Sequence, residues 1–294
     1  MLTHLLDSNY LTIFIANLTV VILLLTLTKY ISSWITHANL NNELSIKDNT
    51  AFGISLAGAI ISLTLVLTGA ISGQAHDNLF IEMAMVLMYG VISILLMICS
   101  RFVFDKISMP NFCLKTEILA GNNACAILDF GHSLASAIII SSVTIWIADD
   151  NFTGLAYLIG GYLVSQLVLN LISSWRLFLY NRHHSTSMQD SLQSGNVAVA
   201  MRFSGLRIAM ALAISAGSNF VAYDQSWWQA LSQWLVFSMS AIILVAILST
   251  LLDKIILAGI NLRDEVDNQA NLAVAMLQAS IAISMALIIL ALAG

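Results

Sequence analysis

Four ionisable side chains lie inside apolar stretches of this chain: Asp129 and His132 in one, Arg202 and Arg207 in another. Asp129 and His132 are three residues apart, which places them on one face of a helix. An ionisable group inside a membrane span costs about 3 kcal/mol or more and faces a bundle interior or a wet cavity. These four residues are therefore the candidates for chemistry, and two arrangements suit them. In one they line the path of a small polar or charged solute. In the other they form an internal ion pair: Asp129 meets Arg207, His132 is a neutral hydrogen-bond partner, and Arg202 snorkels to the interface. The pair leaves one positive charge over if both arginines are buried, to be offset by an anion, a lipid headgroup or water.

Each pair follows an asparagine that recurs along the chain. Asn49, Asn122, Asn196 and Asn271 each open a long apolar run, with Ala51, Ala124, Ala198 and Ala273 two residues later. Nine residues past each asparagine stand Gly58, Gly131, Gly205 and, in the fourth copy, Ser280. At 1.5 Å per helical residue, Asp129 lies about 10 Å past Asn122 and His132 about 15 Å. By the same count Arg202 lies about 9 Å past Asn196 and Arg207 about 16 Å. The two pairs thus reach matching depths on corresponding helices. Leu56 and Gln278 take the place of Asp129 in the outer copies, so any site is asymmetric. The asparagines themselves suit N-caps, whose side-chain oxygen accepts from the free N–H groups of the first turn. Alternatively, four positive helix ends surround one cytoplasmic vestibule and favour an anionic or polar ligand.

The elements that must hold these residues follow from composition. Hydrophobic residues make up 59% of the chain, charged residues 9%, and the mean hydropathy is +0.88. A soluble domain has roughly a quarter of its residues charged, so this chain lacks a water-facing surface of normal kind. Eight apolar runs are long enough to cross a bilayer: about 9–33, 50–72, 79–103, 122–147, 154–179, 196–221, 229–252 and 269–293. Their continuity argues helix over the alternating pattern of a spanning barrel. The predicted fold is an all-α membrane protein of four parallel two-helix repeats, residues 1–76, 77–151, 152–225 and 226–294, with pseudo-rotational symmetry about the membrane normal. The even spans carry small residues at helical spacing and pack inside; the odd spans, rich in Leu, Ile and Val, lie outside.

Orientation follows from the basic residues. Lys29, Lys47, Arg101, Lys106, Lys115, Arg176, Arg182, Lys254 and Arg263 fall at or near the connections after odd spans, and the opposite face has only acids. Basic loops stay in the cytoplasm, which puts both termini outside. No basic residue precedes the first run, so no cleaved leader is expected. The net charge of -5 gives no hint of a nucleic-acid partner. Cys99, Cys113 and Cys125 are odd in number and lack metal spacing, which reads as reduced thiols. His183 and His184 read as a solvated loop rather than a metal site. No phosphate loop, nucleophile elbow or cofactor-binding motif is present, so no catalytic residue, metal or cofactor is expected.

The run from Asp48 to Gly58, with its Asn49-Thr50-Ala51 and following glycine, resembles the YjfL-like bacterial inner-membrane proteins of domain-of-unknown-function family 350. The copies Asn122 to Gly131 and Asn196 to Gly205 fit the same pattern; Ser280 departs from it. The resemblance implies tandem pairs of membrane helices in a bacterial inner membrane and carries no catalytic residues with it. Two functions stand: a channel or transporter of a small polar or charged solute, or a non-transporting membrane scaffold or envelope-stress component. The scaffold would bind a lipid headgroup or a membrane or cytoplasmic protein partner.

Overall fold

In a computed structural model, residues 8–36, 38–72, 78–110, 112–147, 152–184, 186–223 and 225–294 are described. The helices are α1 (Ser8–Thr36), α2 (Thr50–Ile71), α3 (Leu79–Val103), α4 (Leu114–Leu119) and α5 (Asn123–Trp146). They continue as α6 (Phe152–His183), α7 (Met188–Gln193), α8 (Val197–Ser218), α9 (Trp227–Ile256) and α10 (Leu272–Ala293). Eight of them are long and apolar enough to cross a membrane: α1, α2, α3, α5, α6, α8, α9 and α10. Without water in the bilayer core every backbone polar group must be bonded within the chain, and continuous helices achieve that. The chain is an all-α multi-pass membrane protein.

Each odd span reaches its even partner through one local device. A short helical segment (Asn42–Ile46, α4, α7 or Asp264–Asn268) precedes a residue with positive φ: Asp48 at 48°, Gly121 at 88°, Gly195 at 82° and Ala270 at 52°. The left-handed residue reverses the chain so that the following asparagine can cap. Asn49 accepts from Phe52 N, Asn122 from Ala124 N and Cys125 N, Asn196 from Val199 N and Asn271 from Val274 N. The first three of these asparagines also tie neighbouring repeats together. Asn49 Nδ2 donates to the carbonyls of Ile118 and Leu119 at 3.1 and 3.4 Å, and Asn122 Nδ2 to those of Leu192 and Gln193 at 2.9 and 3.3 Å. Asn196 Nδ2 donates to the Asp267 carbonyl at 3.4 Å. Each staples its helix start to the next repeat's connecting turn.

The even spans form a row in the order α2, α5, α8, α10. Glycine sets the approach. A Cβ on Gly58 would lie 2.9 Å from the backbone of Phe130, and one on Gly131 or Gly205 would collide with Ser204 or Ala279. Close backbone contact at small residues is the means by which helices associate where lipid removes the hydrophobic drive. The expected rotational arrangement differs here, because α2 and α10 share no packed interface and the row is open at both ends. The inside–outside division also shifts. α5 and α8 are mostly buried, whereas α2 and α10 show one flank to the surroundings and the odd α6 is more enclosed than either. The asparagines do not surround one vestibule; they stand along the row.

Candidate functional site

α5 carries Asp129 and His132 into a polar cluster between α2, α3 and α6. Asp129 is 1% exposed; its Oδ1 lies 3.1 Å from Arg101 Nη2 of α3, and it accepts from the Ser55 hydroxyl of α2. One helical turn deeper, His132 stacks on Phe104 at 4.3 Å between centroids, with Nε2 3.3 Å from Ser100 Oγ. Ser100 also bonds Ser136 and Gln166. Asp129 therefore answers to Arg101 and not to Arg207, which corrects the expected ion pair. Arg101 stands in the last turn of α3, two residues before its end, with its side chain 23% exposed. A cavity of about 90 Å³ beside the cluster is lined by Ser55, Arg101, His132 and Ser136.

Arg207 is 2% exposed and has no carboxylate within ion-pair distance among the described residues. It donates to the Ser173 hydroxyl and, at 3.0 Å, to Asn170 Oδ1 of α6, and lies 4.5 Å above the ring of Phe104. Its Nε has no partner. Neutral acceptors and a ring face offset part of its charge and neutralise none of it.

Nearer the capped ends, Arg202 pairs with the Asp267 carboxylate, which is 2% exposed. His184 Nε2 lies 3.0 Å from the other Asp267 oxygen, while its Nδ1 is 2.9 Å from the Tyr180 carbonyl. With Nδ1–H donated to that carbonyl, Nε2 attracts Asp267 only as imidazolium. His184 also stacks on Tyr180 at 4.1 Å, so it belongs to the packed structure and not to a solvated loop. A cavity of about 420 Å³ opens here, lined by Arg176, His183, His184, Arg202, Arg263 and apolar side chains, with Asp267 its one carboxylate. Arg176 lies within α6, and its Nη1 has no hydrogen-bond partner. A void of about 10 Å³, roughly one water, shares Arg176, Phe203 and Leu206 with that cavity and touches Arg207.

The structure thus divides the sequence-derived cluster. Asp129 answers to Ser55 of α2 and Arg101 of α3, and Arg202 to Asp267 in the turn before α10, while His132 and Arg207 both lie against the ring of Phe104. Sequence reasoning missed Arg101, Arg176 and Asp267. It also missed Glu43, Glu117 and Glu265, which accept from Asn49, Asn122 and Asn271 at 3.1, 3.1 and 2.7 Å. A signal existed for the glutamates, since each stands five or six residues before its asparagine. At Glu43 the Lys47 ammonium, 2.6 Å away, and the Asn49 amide hold the carboxyl below its ordinary range against the opposing effect of burial. Cys99, Cys113 and Cys125 are free thiols, and hydrogen bonding from Thr116 lowers the Cys113 value.

A family model described as Domain of Unknown Function (DUF350) matches residues 3–144 and again 150–293. Each match takes in two helix pairs, twice the unit expected from the repeated motif. No curated protein and no solved structure matches the chain.

Proposed function

The chain belongs to the DUF350 family, and from that premise we propose that it carries a small anionic solute across a bacterial inner membrane. The observation behind this reading is the charge imbalance along the cleft between α6 and α8. Arg176, Arg202 and Arg207 stand at successive depths against the single carboxylate of Asp267. Unpaired cations inside a span are expensive, and a cleft of one sign concentrates the opposite one. A carboxylate or phosphate-like group entering at Arg176 and Arg202 supplies the missing charge and meets Arg207 at the narrow end.

On this reading the capped face, where the basic residues gather, is cytoplasmic, and the cleft opens inward with both termini outside. The protein is a carrier rather than an enzyme, since the cleft offers cations and two histidines without a nucleophile. A second reading, a non-transporting scaffold, is favoured by Asp129: it pairs with Arg101 and accepts from Ser55, so that part of the cluster ties α2, α3 and α5 together.

Reconstituted protein is assayed for flux of radiolabelled chloride, phosphate and succinate into liposomes. Arg207→Gln and Arg176→Gln should each lower the flux of the transported anion at least tenfold, while Lys115→Gln leaves it unchanged. Absence of flux for every anion, or wild-type flux in both arginine variants, overturns the proposal. An anionic lipid that copurifies with wild-type protein, is lost from Arg207→Gln, and comes without any flux assigns the same cleft to a headgroup instead.

A further inference from the structure

The row of even helices is built from one interface used three times. At positions two, nine, thirteen and twenty after each asparagine the residue is small: Ala51, Gly58, Ser62 and Gly69 on α2; Ala124, Gly131, Ala135 and Ser142 on α5. The stripe continues as Ala198, Gly205, Ala209 and Ala216 on α8, and as Ala273, Ser280, Ser284 and Ala291 on α10. On α2, α5 and α8 these residues are buried, Ser142 partly so; on α10 all four are exposed. The stripe of each repeat packs on the residue eight places after the next asparagine: Gly58 on Phe130, Gly131 on Ser204 and Gly205 on Ala279. In the first repeat that receiving residue is Ala57, and it is exposed, together with Ile60, Ile61, Thr64 and Thr68 on the same flank of α2.

The staples tell the same story. Asn49, Asn122 and Asn196 each donate to a carbonyl three or four residues before the next asparagine. Asn271 donates to Glu265 of its own repeat. In the first repeat the corresponding carbonyls belong to Ser45 and Ile46, both exposed.

We infer that a second copy of this chain continues the row, with α10 of one copy seated on α2 of the next. The two open ends are the donor and acceptor halves of an interface the molecule already makes three times. The partner is therefore another copy in the same orientation, and the contact is head-to-tail. Such a contact closes into a ring or runs on as a filament, whereas a two-fold dimer would set like faces together. Ser280 brings a Cβ where the internal copies have none, so the contact at Ala57 is wider than the internal ones and dissociates more easily. The reading is independent of what the cleft between α6 and α8 binds.

Ala57→Cys and Ser280→Cys proteins, each in a background with Cys99, Cys113 and Cys125 replaced by alanine, are mixed in one bilayer and oxidised. The mixture should yield a disulfide-linked dimer, each protein alone should form no disulfide cross-link, and the doubly substituted chain should form a ladder or closed ring. Because Ala57 and Ser280 are exposed, neither change disturbs the fold; retained α-helical circular dichroism checks this. Dimers formed by one variant alone mean a two-fold contact and overturn the inference. So does a monomeric mass in nanodiscs together with no cross-linking of the mixture, the result for faces covered by lipid only. Ser280→Trp should lower the yield of noncovalent oligomer at least tenfold.

Discussion

Replacing Arg101 with methionine removes the positive half of a pair whose negative half is 1% exposed. At the observed separation of 3.1 Å the Coulomb attraction is about 5 kcal/mol for an effective dielectric near 20. Arg101 keeps 23% of its side chain exposed, which screens part of that value; about 3 kcal/mol is the expected loss when one partner of a largely buried pair is deleted. The remaining hydrogen bond from Ser55 cannot restore a full charge. Adding Asp129→Leu to Arg101→Met should recover most of the stability, because the stranded carboxylate goes with it. The expected coupling energy is about 2–3 kcal/mol, the upper range for residues in direct contact. The Asp129→Leu/Arg207→Met pair shares no hydrogen bond and should be additive within about 0.5 kcal/mol. Reversible unfolding in mixed micelles, followed by circular dichroism, measures both cycles. A coupling for Asp129 with Arg207 equal to or above that with Arg101 refutes the assignment, and full stability of Arg101→Met alone refutes the electrostatic argument.

Two further predictions concern the turns before the caps. Gly195 has φ of 82°, so Gly195→Ala should cost about 1 kcal/mol, while Ala270→Gly, at φ 52°, should gain a similar amount; unfolding midpoints test both. For pH, the folded carboxyl of Glu43 titrates below its ordinary value of 4.5. Its contribution is then fully present above pH 4.5 and is lost as the pH falls through the lower folded value. Wild type should exceed Glu43→Gln in unfolding midpoint at pH 7, with the gap closing on acidification; a gap constant from pH 7 to pH 3 contradicts the linkage.

Much of the fold was legible in the apolar runs. Continuous stretches opening at Asn49, Asn122, Asn196 and Asn271 become α2, α5, α8 and α10, and each asparagine caps the helix it opens. Both properties are local, decided within a few residues by hydrogen-bond supply and by exclusion of the polar backbone from lipid. Less of the candidate site could be read. The spacing of Asp129 and His132 placed them on one helix face, and their depth matched that of Arg202 and Arg207. Equal depth on neighbouring helices does not decide which sides face each other. Asp129 turns toward α3 and Arg207 toward α6, so equal depth misled. The basic-residue pattern misled in another way: it set Arg101 and Arg176 aside as orientation markers, although both lie inside the apolar runs that become α3 and α6.

By itself the sequence determined eight spans, four capped starts and a set of intramembrane charges, since each of these follows from residue type and from spacing along one helix. The pairing of Arg101 with Asp129, the unneutralised Arg207 and the open row from α2 to α10 were decided only in the tertiary structure. Those features depend on the rotation of each helix about its own axis and on its choice of neighbour. Both are fixed where Gly58, Gly131 and Gly205 let backbones meet, a contact between residues more than seventy positions apart that no local pattern specifies.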